Sequence, residues 1–143
     1  MRNLIKNGVL SLMLTLLVSA GFSSCGAGEP GGDVIVVEKE SEFYDYVNDE
    51  TPVLVDFYAD WCRPCKVQGP IVEELSTELK GKVHVLKLNV DNFPRIASKY
   101  QVRSIPTSMI FMDGKQVWKA IGLQQKASLQ AAINKYAATK ETN

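Results

Sequence analysis

Cys62 and Cys65 lie three positions apart with Arg63-Pro64 between them, a spacing at which two thiols close into a small disulfide ring and reopen. The species that attacks a disulfide sulfur is the thiolate. At the start of a helix, Cys62 would face unpaired backbone N–H groups and the positive end of the helix dipole, both of which favour the thiolate. Such settings bring a cysteine pKa from about 8.5 to roughly 7, so that about half is ionised at neutral pH. Cys62 is therefore expected to be the nucleophile. Cys65, one turn further in and more enclosed, is expected to resolve the mixed disulfide. Two other uses of the pair are weaker. As a stabilising bridge, a four-residue loop gains only roughly 2 kcal/mol of loop entropy. Half of a zinc site needs two further ligands, and beyond residue 25 the chain has only His84 and no third cysteine.

The surrounding elements supply the required position. Residues 53–59 form an apolar run that reads as a buried strand, and a helical pattern runs from the cysteines to about residue 79. Val67, Ile71, Leu75 and Leu79 give that helix an i, i+4 stripe, and Pro70 inside it is expected to kink it. Residues 34–37 and 83–90 read as strands, and 41–48, 94–100 and 126–138 as helices. Residues 108–112 and 116–121 flank Asp113-Gly114, a hairpin signal. Strands separated by helices and ending in a hairpin predict an α/β fold: a central mixed sheet of about five strands, flanked by about four helices on both faces.

Two charged residues interrupt the predicted strands. Asp56 sits among apolar neighbours, on the strand face of Leu54 and Tyr58, where desolvation raises a carboxyl pKa. A carboxyl so tuned can carry protons to and from Cys65. A solvated strand aspartate is the plainer reading of that residue taken alone. Lys87 interrupts the face of Val83, Val85 and Asn89, and by itself reads as an exposed edge lysine.

The 143 residues suit one domain with a core of its own. Basic and acidic residues balance at 16 each, and with Arg2 and Lys6 of the N-terminus set aside the remainder has two acids in excess. No basic patch supports nucleic-acid binding. Residues 1–24 read as a signal peptide: a charged start, then an apolar core at 8–18 that is about 11 residues long, short of the roughly 20 a spanning helix needs. Cleavage after Val18-Ser19-Ala20 competes with a loose bacterial lipobox at Ser23-Ser24-Cys25-Gly26, with Phe22 where leucine is usual. In the second reading Cys25 carries a lipid through a thioether, which removes an unpaired thiol from the exported chain. Residues 25–33 are a small-residue tether and 34–140 the domain. The expected location is the periplasm or cell envelope, with a membrane contact only through that lipid.

Residues 55–66, Val-Asp-Phe-Tyr-Ala-Asp-Trp-Cys-Arg-Pro-Cys-Lys, resemble the thioredoxin active-site segment. Lys87-Leu88-Asn89-Val90-Asp91, Arg103-Ser104-Ile105-Pro106-Thr107 and Ile121-Gly122 agree with that family in order and spacing, so the resemblance spans about residues 34–136. It implies a thioredoxin fold and a dithiol oxidoreductase, with Cys62, Cys65, Asp56 and Pro106 as catalytic residues. It implies a cis Ile105–Pro106 bond, with the backbone before Pro106 pairing with an extended substrate strand. It also implies that Lys87 lies near Asp56 and opposes the rise in its pKa.

Trp61, Arg63, Pro64, Ile105, Gly122 and Leu123 are the expected substrate-binding residues. Arg63 stands where glycine is usual, and Tyr58 where tryptophan is frequent. A cation at Arg63 would favour the Cys62 thiolate and a more oxidising couple, and solvent screening would keep that effect small. No cofactor beyond the Cys62–Cys65 disulfide and no metal is expected. The expected partners are disulfide-containing envelope proteins and a membrane electron donor of the disulfide-reductant type, with the protein a monomer. An oxidase or isomerase, and a thioredoxin-fold interaction or chaperone module with an incidental dithiol, are the competing readings.

Overall fold

The computed structural model describes residues 32–138. The expected signal segment, Cys25 and nearly all of the tether lie outside the described residues. The elements run β1 (Ile35–Val36), α1 (Glu40–Val47), β2 (Val53–Tyr58), α2 (Arg63–Glu78), β3 (His84–Asn89), α3 (Pro94–Lys99), β4 (Thr107–Met112), β5 (Lys115–Ile121) and α4 (Lys126–Ala138). They form one five-stranded sheet in the order β1-β3-β2-β4-β5. The β1–β3 and β2–β3 pairs are parallel, and β4 is antiparallel to both β2 and β5. The thioredoxin fold expected from the sequence is the fold found.

Strand alternation divides the core. On one face Val53, Val55 and Phe57 pack with Phe43 and Val47 of α1, Ile96 of α3, and Met109 and Phe111 of β4. On the other, Leu54, Val85 and Ile110 pack with Val72 and Leu75 of α2 and with Leu129 and Ile133 of α4. Because successive side chains of a strand point to opposite faces, Asp56 falls on the α2 side. Its partners in register are Lys87 of β3 and Ser108 of β4. β3 lies between β1 and β2, so Lys87 is not on an edge strand.

The helix carrying the dithiol differs in one respect from the sequence pattern. Its buried positions are Cys65, Gln68, Gly69, Val72, Leu75 and Ser76, while Val67 is 54% exposed and Ile71 only half-buried. The face against the sheet is partly polar and partly small, so the expected apolar stripe holds at Leu75 and Leu79 but not at Val67, where Gln68 and Gly69 face the core instead. Gly69 lies so close to the sheet that a Cβ there would sit 3.4 Å from Lys87 Nζ. Pro70 lies inside α2, which continues past it to Glu78 as one helix.

The hairpin turn is Asp113-Gly114, both with positive φ. Gly114 donates its N–H to the Val47 carbonyl, and a Cβ there would lie 2.8 Å from Asn48 Oδ1, so the turn is seated against the end of α1.

Candidate active site

β2 ends at Tyr58, and Ala59-Asp60-Trp61 carry the chain to the first turn of α2. Cys62 is the N-cap of that helix: its backbone is extended, and its Sγ accepts the N–H of Cys65 at 3.2 Å. The Cys62 N–H is itself held by the Ala59 carbonyl at 3.1 Å. Pro64 lies in the first turn, where a missing N–H costs nothing. The two sulfurs are joined in a disulfide, with the Cα atoms 5.3 Å apart.

Burial does not separate the cysteines as expected. Both are 4% exposed, so Cys65 is not the more enclosed of the two. Cys62 is covered because Ile105 and Val90 pack against the small cluster it forms with Ala59 and Cys65. What distinguishes them is the helix end: Cys62 receives a backbone N–H, and Cys65 supplies it.

The loop preceding β4 closes one side. The Ile105–Pro106 bond is cis. Pro106 is buried, and its carbonyl accepts the N–H of Gly122 at 2.8 Å. Gly122 has a φ of +86°, a conformation that favours glycine. Trp61 is 70% exposed and is anchored by a 2.8 Å bond from its Nε1 to Asp91 Oδ2. Trp61, Val90, Ile105 and residues 102–104 line a groove of about 360 Å³. Leu123 is exposed beside Gly122, and so is Ile121 at the end of β5. Arg63 and Pro64, between the two cysteines, are exposed.

Asp56 is fully buried. Its Oδ1 accepts a 2.6 Å bond from Gln68 Nε2, while its Oδ2 has no hydrogen-bond partner. Burial pushes its pKa up from 3.8 to about 6, against the opposing pull of the Gln68 donor and the charge of Lys87. Lys87 Nζ lies 3.7 Å from Glu73 Oε1 and 5.0 Å from the centre of the Tyr58 ring. Lys87, Glu73, Tyr58, Asp60, Lys66 and Cys65 line a second cleft of about 400 Å³.

Gln68 is the residue that sequence reasoning missed. Its carboxamide joins Asp56, Ser108 Oγ (2.9 Å) and the Gln124 N–H (2.9 Å). Its position three residues after Cys65 puts it on the same helix face, and that was the available signal. Among the described residues, no three His, Cys, Asp or Glu side chains converge as metal ligands do.

A dithiol capping its own helix, set at the end of the strand that buries Asp56, belongs to a dithiol oxidoreductase. The comparisons narrow the class. The chain belongs to the thioredoxin family, whose profile matches residues 34–135. It is 56% identical to the thioredoxin of Rickettsia felis over 91 residues, covering 64% of this chain and 87% of the relative. The thioredoxin of a Synechocystis strain is 48% identical over 92 residues, 64% of this chain and 86% of that one. A solved mutant thioredoxin from Halobacterium salinarum superposes with a TM-score of 0.70 at 38% identity, covering 78% of this chain and 96% of that chain. The protein is thus a thioredoxin-type dithiol oxidoreductase that works through the Cys62–Cys65 disulfide.

Proposed function

We propose that this protein reduces or exchanges disulfides in proteins of the bacterial cell envelope, with Cys62 attacking and Cys65 resolving. The observation that carries the assignment of roles is the 3.2 Å bond from the Cys65 N–H to Cys62 Sγ. In the reduced protein that donor and the helix dipole favour negative charge on Cys62. The Cys62 thiolate attacks one sulfur of the partner disulfide; a new S–S bond forms, the partner's S–S bond breaks, and its second sulfur leaves as a thiolate that water protonates. Cys65 then gives up its proton and attacks Cys62 Sγ, and the partner's remaining sulfur departs with the electron pair. Two electrons have passed from the dithiol to the partner, leaving the Cys62–Cys65 disulfide.

Asp56 is the proton carrier for Cys65 in this scheme. Its pKa of about 6 lets it accept and return a proton near neutral pH. The groove beside Trp61 and Ile105 receives an extended stretch of the partner, with Gly122 and Leu123 completing its rim. Lys87 modulates Asp56, and Arg63 biases the potential.

Export is supported by the charged start and apolar core of residues 1–24, and a lipid anchor by Cys25 and its small neighbours. Outside the cytosol the reduced state needs an electron donor in the membrane. The midpoint potential decides the direction of work. A value near about −270 mV supports a reductant, and one near about −120 mV would make the protein an oxidase. Cys65→Ser should accumulate mixed disulfides with envelope proteins through Cys62; with no captured partner and no disulfide reduction, the interaction-module reading wins. Cell fractionation with the intact mass of the membrane-extracted protein tests export and the lipid together.

A further inference from the structure

We propose that Gln68 is a positioning residue for proton transfer: it grips Asp56 by Oδ1 and leaves Oδ2 as the oxygen that takes and returns the Cys65 proton. The inference rests on the proton-carrier reading of Asp56 given above.

The orientation of the Gln68 carboxamide is fixed from its far end. The backbone N–H of Gln124 lies 2.9 Å from Gln68 Oε1, and only an oxygen can accept there. The NH2 group must then face the sheet, where it donates to Asp56 Oδ1 at 2.6 Å and to Ser108 Oγ at 2.9 Å. A proton on Oδ1 would meet an N–H donor with nothing to accept it. Oδ2 is buried and carries no partner, so it is the oxygen that can take a proton without weakening the Gln68 bond.

The charges facing the carboxyl are few. β3 brings Lys87, with Glu73 of α2 paired to it, and Tyr58 and Asp60 follow along the chain from β2. β4 brings the uncharged Ser108, and α4 packs on this face through Leu129 and Ile133. Gln68 is thus the only neutral donor seen on Asp56 among the described residues. It also ties the acid to the loop after β5, because Gln124 follows Gly122, whose N–H holds Pro106. In the step proposed, the Cys65 S–H bond breaks and an O–H bond forms at Oδ2. The Cys65 thiolate bonds to Cys62 Sγ, and the partner sulfur leaves with the electron pair and is protonated by water.

In the oxidised protein neither cysteine titrates, so the 13C resonance of the Asp56 carboxyl reports its own proton. In the unsubstituted protein the Gln68 side-chain 15N–1H signals should share that inflection; independent titration overturns the proposal without any substitution. Gln68→Leu and Gln68→Met remove the donor, and should move the Asp56 inflection up by about one pH unit or more. The acidic limb of the disulfide-reduction rate should move with it. A uniform fall in rate with both inflections in place makes Gln68 merely structural and overturns the inference. Asp56→Asn separates the two readings. If the pH dependence of the rate survives that substitution, the proton-carrier reading fails whatever Gln68 does; if it is lost while the Gln68 variants leave the profile in place, only the Gln68 inference fails.

Discussion

Asp56 and Lys87 are paired in register on β2 and β3, yet their charged atoms bond elsewhere: Lys87 reaches Glu73 at 3.7 Å, and Asp56 bonds Gln68. The lysine therefore acts on the aspartate through space. An opposite charge nearby still favours the ionised carboxylate, but less than a direct bond would.

Removing that charge has a definite direction. Lys87→Met keeps the apolar stem over Tyr58 and deletes the ammonium, so the Asp56 titration should move to higher pH. Carboxyl 13C shifts followed against pH in the oxidised protein measure it. An unmoved or lowered inflection would show that Lys87 is screened from Asp56.

Burial of Asp56 also costs stability, with a sign opposite to that of a salt-bridged acid. Its folded pKa of about 6 lies above the ordinary 3.8, so the folded state holds the proton more tightly. The Asp56 contribution to stability is most favourable below about pH 4 and falls as pH rises to about 6, and its cost is fully present above that. Asp56→Asn keeps an acceptor for Gln68 and removes that slope. Urea unfolding at a series of pH values should show the variant gaining on the parent from acid to neutral pH, by up to about 3 kcal/mol.

His84 contributes the reverse slope. It is 2% exposed, its Nδ1 has no partner, and its ring packs against Tyr46 at 4.9 Å. Burial lowers its pKa from 6.5. The unfolded chain therefore binds this proton more readily, and stability present above about pH 6.5 is lost as pH falls through the folded pKa. His84→Phe should flatten the acid side of the stability curve while leaving its neutral side nearly in place.

The buried face of α2 is open to a paired mutational test. Leu75→Ala should cost about 2–5 kcal/mol, since Leu75 is fully enclosed between helix and sheet. Val67→Ala, on the same apolar stripe in the sequence, should stay within about 0.5 kcal/mol because Val67 is exposed. Equal costs at the two positions would contradict the observed difference in burial between Val67 and Leu75.

Much of this site could be read from the chain because its signals are local. Strand alternation placed Asp56 with Leu54 and Tyr58, and the hairpin followed from Asp113-Gly114, whose residues adopt the positive φ that turn requires. The full buried face of α2 was not legible, because Gln68, Gly69 and Ser76 are buried without being apolar. Gln68 escaped notice because its value comes from partners 12, 40 and 56 residues away.

The sequence by itself determined the dithiol, the order of strands and helices, and the family resemblance, since each depends on residue type and short spacing. The tertiary structure decided what faces what. Folding covers Cys62 as deeply as Cys65, turns Lys87 towards Glu73, and fixes the Gln68 amide between Asp56 and the loop of Gln124. Those outcomes depend on distances between segments far apart in the chain. Local pattern carries no information about a hydrogen bond until packing has brought its two ends within reach.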